Sequence, residues 1–442
     1  QLTGDRRRFA EVALEAQREQ AATTFAREVD WLRRLADLPG VAEALAALPV
    51  YRTYVEPWSG RVEEADREAV RAAGPPDELA RVLLLQERGH DEFVTRFQQT
   101  SPPVTAKGVE DTALYRSVRL LALNEVGGDP ERFGVSVDAF HAANRERAER
   151  FPRNLLVTST HDTKRSGDVR ARIGALAGMA DEWGERVRRW YGLTEGLRDG
   201  GAPDDRERWL IFQTLVGAWP IGEDRLTGYL EKALREAKVN TAWVDGDEDW
   251  ERRVKAFAAG LLRHREFLDD FEPLAERVAI EGERVALGQN LLKLTVPGVP
   301  DVYGGDELWN LSLVDPDNRR PVDWGARRSA LDALRRGAAP DRASMKLFVI
   351  HRALELRARR PEAFAGAYTP LDAGPGVCAF LRGEGEVLVV VPVRPGAGNG
   401  DVLAGVPGRW RDGLTGEERA LGDPAGLAEL VAPYGLGLFE RL

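Results

Sequence analysis

Five histidines occur in the sequence, His90, His141, His161, His264 and His351. Of these, only His161 stands beside a carboxylate, Asp162, at the end of a strand-like run. That run, Leu155-Leu156-Val157-Thr158-Ser159-Thr160, is apolar and β-branched, which favours a strand. It stops abruptly in the polar cluster His161-Asp162-Thr163-Lys164-Arg165. Parallel α/β barrels expose reactive side chains where strands emerge at their C-terminal face, so the pattern predicts a carboxylate and an imidazole poised at a strand end. The same pattern suits a strand-end Asp that merely caps the next helix.

Other chemistries find no support. Cys378 is the only cysteine, so there is neither an intramolecular disulfide nor a CxxC pair, which points to a reducing compartment. Asp245, Asp247 and Asp249 mimic the opening of an EF-hand loop, but Trp250 stands where glycine is required and Ala256 where the bidentate Glu belongs. The segment from Asp315 fails likewise, with Arg320 at the glycine position. HExxH, P-loop and strand-following GxGxxG motifs are missing. No metal or cofactor is expected. Trp209, Trp219, Trp243, Trp250, Trp309 and Trp324 could stack on a pyranose or simply pack in a core. Trp219, next to Pro220, and Trp309, in a Gly-rich loop, are the better candidates for an exposed platform.

The elements that must position these residues are mostly helical. Phe9, Val12, Phe25, Val29 and Leu32 recur at helical spacing between Arg6 and Leu35. A second helical stretch, Leu79 to Phe97, follows the break Gly74-Pro75-Pro76-Asp77, with Asp77 as its expected N-cap. Ser101 to Thr112 reads as a polar loop, followed by a short helix, the turn Gly127-Gly128-Asp129-Pro130, and a helix from about Val137 to Arg150. From Val169 to Gly288 the pattern is again helical, broken at Asp199–Pro203 and Asp245–Asp247. Leu291 to Val296 reads as a second buried strand. From about residue 366, short β-prone runs such as Val377–Leu381 and Val387–Val393 indicate a small all-β domain.

With 442 residues, 43% hydrophobic and 30% charged, the chain exceeds a single small domain and carries enough apolar material to fold. Sixty-two Lys and Arg against 72 Asp and Glu leave a net charge of −10, which gives no field to attract nucleic acid or anionic lipid. A neutral, sugar-like ligand fits better. No apolar run reaches the roughly 18 residues of a membrane span, and the N-terminus has no signal-peptide pattern. The expected location is cytoplasmic. The chain opens at Gln1 rather than Met, as though a preceding segment were missing.

Thr160-His161-Asp162, followed about 135 residues later by Gly298-Val299-Pro300-Asp301-Val302-Tyr303-Gly304-Gly305-Asp306-Glu307, resembles the last two signature regions of the α-amylase superfamily (glycoside hydrolase family 13), at the ends of barrel strands seven and eight. More narrowly, the sequence resembles the maltooligosyl trehalose synthases. The resemblance is carried by Arg96-Phe97-Gln98-Gln99, Ala106-Lys107-Gly108-Val109-Glu110-Asp111-Thr112, Asn124-Glu125-Val126-Gly127-Gly128-Asp129-Pro130 and Ser159–Arg165. Gln213–Pro220, Arg235-Glu236-Ala237-Lys238 and Leu313–Asp323 continue it, in order, from about Pro49 to the C-terminus.

The resemblance implies an intramolecular transglucosylation in which the reducing-end α-1,4 bond of a maltooligosaccharide becomes an α,α-1,1 bond. Retaining chemistry of this kind needs two carboxyl groups about 5 Å apart around an oxocarbenium-like transition state. Asp162 matches the family's third acidic residue, which stabilises that state, and His161 would hydrogen-bond the same sugar. Lys107, Lys164 and Arg165 resemble residues that hold the reducing-end glucose; the alternative for Lys107 is a pairing with Glu110 or Asp111 in a purely structural loop. Tyr115 is a weaker candidate at the same subsite, Tyr303 belongs to the second signature, and Trp219 is carried as a substrate platform. The Asp315–Arg320 loop, with Asp317, lines the cleft or packs beneath it. The earlier signatures, Asp-x-x-x-Asn-His and Gly-x-Arg-x-Asp, are not found. The expectation is therefore the C-terminal portion of an α/β (β/α)8 TIM barrel, strands six to eight, with large helical insertions and a small all-β domain. Within it, residues 1–165 form a helical subdomain with the later strands up to Thr-His-Asp, 166–285 a helical insertion, 286–362 the last strand, loop and helix, and 363–442 a β-sandwich-like domain. The nucleophile and acid/base would come from an N-terminal half of the same enzyme, its partner besides the maltooligosaccharide, and the chain alone would be inactive. An amylase-like α-glucan hydrolase and a non-catalytic carbohydrate-binding module are the competing readings.

Overall fold

The computed structural model describes residues 3–397 and 401–442. They form two compact units. One gathers the chain up to Glu131 with Thr194–Ile211 and Glu223–Arg263; the other gathers Arg132–Leu193, Phe212–Gly222 and His264–Leu442.

The first unit is helical. Phe9–Ala22, Ala26–Leu35, Val41–Ala47, Glu64–Ala73, Asp77–Leu83 and Asp91–Thr105 are its N-terminal helices. Val29, Leu32, Leu45, Val70, Leu79, Val82, Phe93 and Phe97 meet in its core. The stretch read as one helix from Leu79 to Phe97 is interrupted between Leu83 and Asp91, and Asp77 is the first helical residue, with Pro76 as N-cap. The larger correction concerns Ser101–Thr112. This segment is helical: Asp91–Thr105 runs on into a π-helix, Ala106–Ala113. Two of its hydroxyls do not face water but close on backbone carbonyls, Ser101 Oγ to Tyr51 O at 2.8 Å and Thr112 Oγ1 to Lys107 O at 2.8 Å. A polar composition so satisfied can be buried, and both side chains are.

In the second unit the helix Val137–Arg150 begins where expected, with Ser136 Oγ accepting from Ala139 N at 3.1 Å. Two very short strands, β1 (Leu155–Leu156) and β2 (Val299–Pro300), pair in parallel. Among the described residues no third parallel strand joins them, and Val157–Thr160 leave the ladder. Pro300 has no N–H to extend the pairing, although Asp301 N still reaches Leu156 O at 2.8 Å. Gly298 makes the pairing possible. Its φ is +128°, and a Cβ there would lie 2.7 Å from the Leu156 side chain and 2.9 Å from Asn154 O.

The second strand expected at Leu291–Val296 is instead the end of a 31-residue helix, Arg265–Thr295. Leu291 and Leu294 fall on its buried face, and Thr295 Oγ1 donates to Leu291 O at 2.6 Å. A short apolar run does not by itself separate strand from buried helix. This long helix crosses Gly167–Ala175 at Gly282, where a Cβ would stand 2.6 Å from Arg172 Cα and 2.9 Å from its N. Because backbone rather than side-chain atoms are met, Gly282→Ala is expected to destabilise the chain by about 1–3 kcal/mol, measured by urea unfolding.

The C-terminal region is rich in β structure, built on one six-stranded antiparallel sheet, with a short helix at Leu427–Val431. Its strands are β3 (Tyr368–Leu371), β4 (Val377–Arg382), β5 (Val387–Pro392), β7 (Gly408–Asp412), β8 (Glu418–Leu421) and β10 (Gly437–Arg441), in the order β3-β4-β5-β10-β7-β8. A separate pair joins β6 (Val402–Leu403) to β9 (Ala425–Gly426). Strand periodicity divides the side chains. Cys378, Phe380, Val387, Val389, Val391 and Leu438 pack with Leu291, Leu294, Val349 and Leu356 of the helices Arg265–Thr295 and Met345–Arg359. Val377, Ala379, Leu388, Val390 and Phe439 pack with Leu403, Val406, Trp410 and Leu427. Cys378 is a free, buried thiol, and burial pushes its pKa up to about 12, which leaves it inert at neutral pH. Among the described residues no helix is long and apolar enough to cross a membrane.

Candidate active site

Beyond β1 the chain folds into a tight turn knitted by threonines. Thr160 N donates to Thr163 Oγ1 at 2.5 Å, Thr163 N to Thr160 O at 3.4 Å, and Asp162 N to Thr160 Oγ1 at 3.2 Å. Thr163 is buried, whereas His161 and Asp162 at the tip are exposed. Neither the His161 imidazole nor the Asp162 carboxylate makes a hydrogen bond or ion pair with a described residue.

A second loop holds this turn from behind. Asn318 Nδ2 and Arg319 Nη2 donate to His161 O at 3.1 and 3.4 Å. Arg165 bridges to Leu313, and Ser166 N donates to Ser312 O at 3.0 Å. Ser166 then caps the helix Gly167–Ala175, its Oγ accepting from Val169 N at 3.3 Å. The cap is thus supplied two residues before Asp168, which frees Asp162 from that task.

The other expected residues take different places. Lys164 and Arg165 are buried, at 4% and 2% exposure. Asp317 closes its own loop, with Oδ2 accepting from Leu313 N at 2.8 Å and Oδ1 lying 3.0 Å from Arg320 Nε. Tyr303 is half-buried, its hydroxyl making no hydrogen bond with a described residue, in the turn Tyr303–Asp306 that follows β2. Trp219 meets Phe271 edge to face at 5.0 Å, and its carbonyl accepts from Arg172 Nη1 at 2.6 Å. Trp309 is half-buried as well, donating to Arg342 O at 2.7 Å under the Lys346 ammonium. Trp58, Trp243 and Trp324 are the more exposed indoles. Lys107 and Tyr115 belong to the other unit. Lys107 is exposed on the π-helix with Nζ 2.5 Å from Asp111 Oδ2, and Tyr115 is buried.

Beneath the turn lies a polar network that sequence reading missed. Asp168, in the first turn of its helix, accepts from Lys346 Nζ at 2.6 Å and from Asn310 N at 2.7 Å. Asn310 Nδ2 donates to Asp306 Oδ1 at 2.5 Å. Lys293 Nζ donates to Thr158 Oγ1 at 3.1 Å and so reaches the segment that carries His161 and Asp162. Burial raises the Asp168 pKa, opposed by the Lys346 ammonium. Burial also lowers that of Lys293, against the pull of Asp306. The available signal was two lysines, in a chain with only seven, set inside the apolar runs Leu291–Leu294 and Met345–Ile350. A lysine there must find a buried acceptor.

The resulting surface offers one unengaged carboxylate and one unengaged imidazole on a rigid turn, able to bind sugar hydroxyls and to face developing positive charge. Among the described residues no group of three or more His, Cys, Asp or Glu could hold a metal ion. No protein-family model matches the chain. A curated protein of Mycobacterium tuberculosis that carries the provisional name maltooligosyl trehalose synthase is 41% identical over 367 residues, 79% of this chain and 46% of its own length. The solved maltooligosyltrehalose synthase of Arthrobacter ramosus superposes with a TM-score of 0.85 at 37% identity, over 99% of this chain and 59% of its own. In sequence and in fold the chain is similar to maltooligosyl trehalose synthases. A Sulfolobus tokodaii structure described as a hypothetical maltooligosyl trehalose synthase agrees, with a TM-score of 0.81 at 27% identity over 98% of this chain and 58% of its own. The chain spans about half the length of the curated synthase relatives it matches.

Proposed function

We propose that this chain is the C-terminal part of a maltooligosyl trehalose synthase, a (1→4)-α-D-glucan 1-α-D-glucosylmutase acting on maltooligosaccharides, with β1 and β2 as late strands of its (β/α)8 barrel. In the reaction, the anomeric carbon of the penultimate glucose leaves O4 of the reducing-end glucose. It is then captured by O1 of that same glucose. A nucleophile and an acid/base on the N-terminal half would make and break the covalent intermediate. Asp162 supplies fixed negative charge beside the oxocarbenium-like centre, and His161 bonds the hydroxyls of the same ring. Lys164, Arg165, Tyr303 and Trp219 are proposed to retain the departing glucose, and Asp317 to shape the loop behind His161; Lys107 and Tyr115, in the other unit, are proposed as substrate-binding residues on the resemblance alone.

The observation that carries this reading is the unengaged Asp162 carboxylate on a turn whose own bonds are otherwise satisfied. A carboxylate held in place but free of partners is preorganised for charge that develops only during reaction. The test is to incubate the intact enzyme with maltopentaose and follow reducing ends and free sugar together. Reducing ends are expected to disappear with little glucose released. Glucose as the main product would overturn the synthase reading in favour of a hydrolase.

A further inference from the structure

In the helical unit, one lysine reaches the π-helix Ala106–Ala113 from outside. Lys238 follows the last residue of the helix Glu223–Ala237 and sits in the left-handed region, at φ +53°. Helices commonly end in that conformation, but on glycine or asparagine, because a β-carbon there crowds the following carbonyl. An observed strain of this kind points to a task for the side chain.

The ammonium shows what that task is. All three of its hydrogens have acceptors: Glu236 O at 3.0 Å, Asp111 O at 3.2 Å and Thr112 Oγ1 at 2.9 Å. The first bond serves the end of its own helix, and the other two leave it for the π-helix, 126 residues away at Thr112. Because Thr112 Oγ1 accepts from Lys238, its own hydrogen goes to Lys107 O, at 2.8 Å. Asp111, whose carbonyl Lys238 holds, places Oδ2 2.5 Å from Lys107 Nζ. Lys107 is thus gripped at its carbonyl and at its ammonium, and both grips are tied to Lys238. The anchor is itself fixed, since the buried Arg116 donates Nε to Ala237 O at 2.7 Å and pairs with Glu19 at 2.7 Å. The Lys107 side chain is 54% exposed and that of Lys238 21%, so the first faces solvent and the second supports it from within.

We propose that Lys238 is a positioning residue for Lys107, holding the π-helix so that the Lys107 ammonium and the Asp111 carboxylate meet substrate as a fixed pair. π-helices are rare and recur at functional sites. A long, exposed lysine has many rotamers to lose on binding, and a scaffold that restricts it in advance lowers that cost. The pair offers a donor and an acceptor at a set spacing, which suits neighbouring hydroxyls of a glucose ring. This rests on the reading of Lys107 as a substrate-binding residue, whereas the hold of Lys238 on the π-helix does not.

Two variants separate side chain from backbone. Lys238→Gly suits the left-handed conformation and removes the ammonium; Lys238→Met removes the ammonium and keeps the strain. Both are expected to speed hydrogen exchange of the amides in Ala106–Ala113 at least about tenfold in the chain, with the C-terminal sheet unchanged. In the intact enzyme, Lys238→Gly is expected to raise KM for maltopentaose about fivefold with kcat nearly kept, the mark of lost substrate binding. Combined with Lys107→Met, it is expected to add nothing to the effect of Lys107→Met alone, because it acts through that residue. Parent exchange rates in the Gly variant overturn the proposal. So does a parent KM in Lys238→Gly where Lys107→Met raises it, which would leave Lys238 a purely structural cap, and so do effects of the two substitutions that multiply. A KM unmoved by Lys107→Met overturns the substrate role of Lys107 instead, and exchange then still decides whether Lys238 holds the π-helix.

Discussion

Asp162→Asn, made in the intact enzyme of which we propose this chain to be a part, is expected to lower kcat by about 10³-fold with little change in KM. The substitution keeps the shape and the hydrogen-bonding oxygen but removes the charge. Ground-state contacts to sugar hydroxyls survive an amide. Stabilisation of an oxocarbenium-like centre does not, and an interaction made only in the transition state appears in kcat. The structure adds a control that the motif alone could not. Asp162 is exposed and bonds no described side chain, so the variant should unfold within about 0.5 kcal/mol of the parent. A variant that keeps most of its kcat would reject the role. One that loses activity together with several kcal/mol of stability would show that the carboxylate holds the turn rather than the transition state. His161→Ala should do less, because its backbone carbonyl, which anchors Asn318 and Arg319, is untouched.

The contrast between Asp162 and its neighbours shows what the sequence could carry. The change from a β-branched run to His-Asp marked the end of a strand and the turn that follows it, although β1 spans only Leu155–Leu156. Composition shifts also located the β-rich end, where one buried face per strand leaves a period of two. They failed at Ser101–Thr112 and Leu291–Val296, for opposite reasons. In the first, buried hydroxyls bonded to carbonyls imitate a solvated loop; in the second, the last turns of a buried helix imitate a strand. Local pattern does not reveal what lies across the contact, and there Tyr51, Gly282 and the C-terminal sheet decide the outcome. The buried network under the turn was least legible. Asp168, Asn310 and Lys346 are separated by up to 178 residues, and only the fold brings them together.

That network supports the second large effect. Lys346→Met is expected to cost about 3–5 kcal/mol in urea unfolding of the chain, because it strands a buried charge. Lys346 and Asp168 side chains are 2% and 5% exposed and 2.6 Å apart. Without the ammonium, Asp168 keeps a single hydrogen bond, from the Asn310 amide, and the longer-range attraction of Lys293 and Arg172, while still facing the negative charge of Asp306. Its pKa, already raised by burial from the usual 3.8, must rise further. The sign of the pH dependence follows. Between the unfolded and the elevated folded pKa the native variant binds more protons than the unfolded chain, so its stability falls as pH rises through that window. The difference between parent and variant should therefore narrow as pH drops from 7 towards 4, as Asp168 takes up a proton and sheds the uncompensated charge. Adding Asp168→Leu to Lys346→Met removes the charge outright and should recover most of the loss at pH 7, while Asn310, deprived of its acceptor, retains part of it. A single variant within about 1 kcal/mol of the parent, or a penalty that does not change with pH, would mean that solvent reaches Asp168 and that the turn carrying His161 and Asp162 does not rest on a dry ion pair.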